Sequence, residues 1–172
     1  NLLLKLLQRF NFITGLIMEK LTLFNEATRS RFWLGSGLYA SAQQMNDVLT
    51  AGEPGFITLS LKKQSLAELQ DLQAEGSIWQ FLQKHAQQGA KLLPNTAACF
   101  TAKEAILQAQ LSREIFKTDW IKLEVIGDKR NLQPHNAETL LAAKELLAQG
   151  FKVLPYCTDD LIVCEQLLAM GC

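Results

Sequence analysis

The sequence predicts an α/β fold built on a parallel sheet, and three observations carry that expectation. Short β-rich runs alternate with stretches whose apolar residues recur at three- and four-residue spacing. The last three of these runs begin about 30 residues apart, the length of one strand–helix–strand unit. Gly89, Gly150 and Gly171 each stand where a helix would end and a strand begin, and a left-handed residue stops a helix there with little strain.

The elements follow in chain order. Strands are expected at residues 32–34, 56–61, 91–94, 120–126 and 151–156. A helix is expected over 102–116, with Ala105, Ile106, Ala109 and Ile115 on one face. Another is expected over 137–149, patterned by Leu140, Leu141, Lys144, Leu147 and Ala148, and a third over 161–170. Thr101 with Glu104, and Ser41 with Gln44, have capping-box spacing, in which side chains satisfy the unpaired amides of a helix start. Asn136 and Asp160 are further cap candidates.

Such alternation implies right-handed crossovers between parallel strands. Two closures are compatible with it, an open doubly wound sheet and a (β/α)8 barrel. No glycine-rich dinucleotide fingerprint or phosphate-binding loop follows any strand. Gly35-Ser36-Gly37 reads as a tight loop.

Composition narrows the function classes. The 172 residues suit one domain, and 48% are hydrophobic, which excludes a disordered chain. Lys plus Arg and Asp plus Glu both number 17, so the cationic excess expected of a nucleic-acid binder is missing. The four cysteines, Cys99, Cys157, Cys164 and Cys172, are scattered and form no Cys-x-x-Cys pair. That usage points to a reducing compartment, hence the cytoplasm, and away from structural zinc. His85 and His135 are isolated, and no metal or cofactor is expected.

Residues 1–17 are apolar but interrupted by Lys5, Gln8, Arg9 and Asn11, so neither a membrane span nor a signal peptide is expected. We read them as an upstream or non-native extension, helical if structured, with Met18 as the natural start and residues 18–172 as the domain.

The polar residues within the strands carry the chemistry. Alternation puts Ile121, Leu123 and Val125 on one face, and Lys122 with Glu124 on the other. A parallel sheet is covered on both faces, so a buried lysine and carboxylate two residues apart need a reason. One reading is an ion pair reaching solvent at a strand end. The other is a lysine deprotonated by burial, whose amine attacks a carbonyl to form a Schiff base while Glu124 moves protons. Asn95, Tyr156 and Thr158 lie at strand ends that would converge on the active rim of a barrel, as candidate substrate contacts. Turn chemistry is the alternative for Asn95, and cap chemistry for Asp159. Lys62-Lys63 would meet an anionic substrate there or simply be solvated.

Three segments resemble the bacterial thiazole synthases of thiamine biosynthesis: Leu92-Leu93-Pro94-Asn95-Thr96-Ala97, Trp120-Ile121-Lys122-Leu123-Glu124-Val125-Ile126-Gly127, and Val153-Leu154-Pro155-Tyr156-Cys157-Thr158-Asp159-Asp160. Leu34-Gly35-Ser36-Gly37, with Tyr39 and Ser41, resembles that family's opening motif, and the likeness runs in order from about residue 18 to 172. The resemblance implies a (β/α)8 barrel, here incomplete with about five of eight strands and stopping before the sixth. It implies formation of the thiazole phosphate of thiamine from 1-deoxy-D-xylulose 5-phosphate, dehydroglycine and the thiocarboxylate of a ubiquitin-like sulfur carrier protein. The family's Schiff-base lysine falls on Lys122 and its active-site glutamate on Glu124. The full-length protein is expected to be a homo-oligomer. The family's glycine-rich phosphate site and a proposed acid/base aspartate would lie beyond Cys172, so the chain alone is expected to be inactive.

Three departures stand out: Leu38 where many relatives have lysine, Ala98 for a glycine, and Gln133-Pro134-His135 for Leu-Pro-Asp. A Schiff-base aldolase and a degenerate barrel that only binds the sulfur carrier are the competing readings.

Overall fold

The computed structural model describes residues 20–61 and 76–172. The expectations for residues 1–17 and for Lys62-Lys63 lie outside the described residues. Among the described residues, five parallel strands form one sheet in sequence order: β3 (Trp33–Gly35), β4 (Phe56–Ser60), β5 (Lys91–Asn95), β6 (Trp120–Leu123) and β7 (Lys152–Pro155). An antiparallel hairpin, β1 (Thr22–Leu23) with β2 (Glu26–Ala27), precedes them. The described helices are α1 (Ala42–Gly52), α2 (Ile78–Gln87), α3 (Ala102–Phe116), α4 (Asn136–Ala148) and α5 (Leu161–Met170). Among the described residues no helix is long and apolar enough to cross a membrane.

Strand alternation sorts the side chains onto two faces. Ile57, Leu59 and Leu92 pack outward against Met45 and Leu49 of α1 and Leu82 of α2. Ile121, Leu123 and Val153 pack outward against Ala105 and Ala109 of α3 and Ala142, Ala143 and Leu146 of α4. Alanines at those positions let both helices lie close to the sheet. Each fully buried Leu or Ile here contributes about 1.5–3 kcal/mol.

The opposite face is aromatic at its lower, N-terminal end. Phe56, Leu93 and Trp120 are buried there under Leu23 and Phe24 of the hairpin. The Phe24 ring meets Trp120 edge-on at 5.4 Å, and Phe56 meets Trp120 at 4.9 Å. Lys91 and Lys152, the first residues of β5 and β7, both pair with the Glu26 carboxylate. Each ammonium also lies 5.2 Å from the Trp120 ring centroid. The hairpin is therefore a floor, stapled to two strands that flank β6.

Most helix ends follow the expected chemistry. Thr101 and Ser41 accept from the amides of Glu104 and Gln44, at 3.2 and 3.1 Å, and Asp160 accepts from Val163 at 3.1 Å. Gly89, Gly150 and Gly171 have φ of 98°, 81° and 100°. Asn136 is a correction: it is the first residue of α4, and the cap is His135, whose Nδ1 accepts from the Glu138 amide at 3.4 Å. Asn136 instead clips Thr158, its Nδ2 donating to Thr158 Oγ1 at 2.7 Å and its Oδ1 accepting from the Thr158 amide at 3.3 Å. The resemblance placed an aspartate where His135 stands, and a carboxylate suits this place better, because it accepts more strongly and favours the helix dipole. His135→Asp is therefore expected to raise unfolding stability by about 0.5–1 kcal/mol, read as a higher denaturant midpoint at an unchanged slope.

Two groups make the fold acid-sensitive. Hydrogen bonds from Lys152 and Lys91 hold the Glu26 carboxyl below its ordinary value of 4.5. Burial, with Lys84 and Arg29 nearby, holds the His85 imidazole below its ordinary 6.5. His85, on α2, is buried against α1, its Nε2 3.1 Å from Asn46 Oδ1. Both folded values are depressed, so stability is intact above the unfolded values and declines as pH falls through the folded ones. The denaturation midpoint should therefore be flat above about pH 6.5, fall below it as unfolded His85 takes a proton, and fall further below about pH 4.5.

Candidate active site

Above the aromatic floor the inner face turns polar. Register partners place Ser60, Asn95, Lys122 and Leu154 in one row across β4 to β7. Glu124 lies one inward step beyond Lys122, and Lys122 Nζ is 3.0 Å from Glu124 Oε1. The side chains are 43% and 15% exposed respectively. The sequence reading expected both faces of this strand to be covered. Among the described residues the helices cover the outer face and the hairpin covers the inner face at its lower end, and Lys122 is half open to solvent.

A residue that strand alternation did not single out fixes the pair. Thr96 is fully buried, and its Oγ1 accepts from the Glu124 amide at 2.7 Å and donates to the Glu124 carbonyl at 2.8 Å. Its own amide donates to the Lys122 carbonyl at 3.1 Å. The Thr96 hydroxyl thus replaces a rung of the ladder, and β6 ends at Leu123 and not, as expected, at residue 126. Beyond it, Val125 accepts from the His135 amide and Ile126 donates to the Cys99 carbonyl, both at 2.8 Å.

Asn95 lies opposite Lys122, and its Oδ1 accepts from the Ala97 amide at 3.2 Å, so the turn role and the rim position coexist. Ala98, in the same turn, has a left-handed φ of 60°. That conformation accounts for a glycine here in the family the sequence resembles, and it costs an alanine about 1–2 kcal/mol. The Tyr156 amide donates to the Leu123 carbonyl at 2.7 Å, which puts Tyr156 beside Glu124, and its hydroxyl donates to the Leu132 carbonyl at 3.2 Å. Thr158 is tied to Asn136 at the start of α4.

A cavity of about 780 Å3 adjoins the row, lined by Gly35, Ser36, Thr58, Ser60 and Asn95 among others. Ser60 Oγ is buried on this wall with no hydrogen-bond partner among the described residues. Leu38, at the lip, is wholly exposed with φ of 69°. Ser60 was missed because a serine ending an apolar strand looks like a boundary residue.

The model of the family described as "Thiazole biosynthesis protein ThiG" matches residues 22–172. The chain belongs to this family. Its sheet and helices make up five strand–helix units of the (β/α)8 barrel of ThiG proteins. The thiazole synthase of Ralstonia pickettii (strain 12J) is 43% identical over 156 residues, covering 91% of this chain and 54% of that protein. The thiazole synthase of Burkholderia lata is 44% identical over 154 residues, covering 90% and 54%. The chain thus spans about half the length of the curated relatives it matches. The crystal structure of the Amycolatopsis orientalis BexX/CysO complex contains a chain with a TM-score of 0.66 and 27% identity, covering 88% of this chain and 59% of its own.

Proposed function

We propose that this chain carries the Schiff-base centre of a thiazole synthase, an enzyme that builds the thiazole phosphate of thiamine. The Lys122–Glu124 contact at 3.0 Å, on the inner face at the C-terminal end of a barrel strand, carries the reading. The substrates are 1-deoxy-D-xylulose 5-phosphate, dehydroglycine and a sulfur-carrier thiocarboxylate. Glu124 accepts a proton from Lys122, which frees the amine to attack the ketone carbon of the sugar. The same proton then returns to the carbinolamine hydroxyl, water leaves, and an iminium remains. One carboxylate at hydrogen-bonding distance thus serves as base and then as acid.

Asn95 and Tyr156 flank this position, and Thr158 keeps its own hydroxyl proton to donate while accepting from Asn136. The relatives named thiazole synthase support the substrate class. The fold neighbour crystallised with CysO supports a protein partner as sulfur source. The cysteine usage supports a cytoplasmic setting, and the whole protein is taken to self-associate.

Borohydride added to the full-length protein with 1-deoxy-D-xylulose 5-phosphate should leave one reduced adduct, on Lys122. An adduct on Lys91 or Lys152 would overturn the assignment. Cleavage of the sugar with no carrier protein present would favour an aldolase.

A further inference from the structure

The loop after β7 brings together two thiols that the sequence left apart. Cys157 follows Tyr156, and Cys164 lies in the first turns of α5, with their Sγ atoms 4.0 Å from each other. Cys164 is exposed, whereas Cys157 is half-buried against the core beneath α4 and α5. Between them, Thr158 is held by Asn136 and Asp160 caps α5, so both ends of the connection are anchored. Cys172 also packs against this core, and burial together with the nearby Cys157 pushes its thiol up to about 11.

We propose that Cys157 and Cys164 are a dithiol modification site that closes to an intramolecular disulfide by exchange with a low-molecular-weight disulfide such as oxidised glutathione. The proposal does not rest on the thiazole-synthase reading. The Cys164 thiolate attacks one sulfur of the reagent, expels a glutathione thiolate, and becomes a mixed disulfide. Cys157 then loses its proton to solvent, attacks Cys164 Sγ, and expels the second glutathione thiolate. The two protein thiols lose two electrons and the reagent gains them, with two molecules of reduced glutathione released. The sulfurs must approach by about 2 Å to reach bonding distance, and the exposed Cys164 side chain has room to turn. Burial and the hydrogen bond with Cys164 raise the Cys157 thiol, so it stays protonated at rest and leaves the first attack to Cys164; its place 4.0 Å from Cys164 Sγ is what fits it to the second. The high value at Cys172 keeps that thiol protonated and slow.

Residues 153–172 contain no Lys or Arg, so trypsin leaves all three cysteines on one peptide, whereas cleavage after Glu165 separates Cys172 from the other two. The full-length protein is incubated in its native state with oxidised glutathione, alkylated, cleaved after glutamate and weighed. The expected product is a Cys157–Cys164 bond, lighter by two hydrogen atoms, with Cys172 alkylated. Cys172→Ser should leave that product unchanged. Cys157→Ser should instead accumulate a glutathione mixed disulfide on Cys164, a readout that survives even if the loop is perturbed. A bond from Cys157 to Cys172, a lasting mixed disulfide on wild-type Cys164, or three fully alkylated thiols would each overturn the proposal.

Discussion

Lys122→Arg in the full-length protein is expected to abolish borohydride trapping of the ketose and to lower turnover by at least about a thousandfold, the scale on which removing a covalent nucleophile acts. Arginine keeps the positive charge beside Glu124, so the ion pair at 3.0 Å survives in kind. It cannot give up a proton near neutral pH, and without a free amine no carbinolamine forms. The substitution therefore separates the two readings of this position. An ion pair reaching solvent would tolerate arginine with little loss. Unchanged turnover would leave Lys122 as surface electrostatics and remove the basis of the mechanism. The unfolding midpoint should move little, because Lys122 is half open to solvent.

Thr96→Val should cost about 2–4 kcal/mol of stability, because it takes the hydroxyl partner from the part-buried amide and carbonyl of Glu124. Valine matches threonine in shape, so packing is preserved and the loss belongs to the hydroxyl. Thr96→Ser should recover most of it. The same hydroxyl holds Glu124 against Lys122, so the valine variant should trap the ketose more slowly even at saturating sugar. A purely structural threonine would lower the midpoint and leave the trapping rate of the folded fraction unchanged. Paired denaturant titration and single-turnover trapping distinguish these outcomes.

How far the sequence revealed the fold differs from element to element. The β–α alternation, α3, α5 and the glycine stops were legible because each rests on local periodicity or on one residue's backbone preference. Lys122 and Glu124 were legible for the same reason, since alternation along a single strand put them on one face. The hairpin was not. Its turn residues, Phe24 and Asn25, have φ of 49° and 59°, where an Asn-Gly pair would have announced the turn. Phenylalanine is tolerated there because its ring packs on Trp120, a contact between residues far apart in the chain. Thr96 was hidden for a related reason: its partners are on the next strand, and nothing in Pro94-Asn95-Thr96 signals a hydroxyl standing in for a backbone rung. The cysteine pair was hidden because a loop and a helix start intervene. The cap of α4 was misplaced by one residue because asparagine has the stronger capping preference, yet Thr158 claims its side chain.

The hairpin floor has a consequence for how the molecule is made. Glu26 is translated early, but the second lysine it binds comes 126 residues later. Until Lys152 leaves the ribosome the carboxylate has at most Lys91 to hold, and the rings of Phe24 and Trp120 have only part of their seat. Assembly of the lower end must therefore come late, when the fifth parallel strand docks. A nascent polypeptide halted between Asp119 and Phe151 should accordingly expose its hairpin to protease, and one released past β7 should shield it.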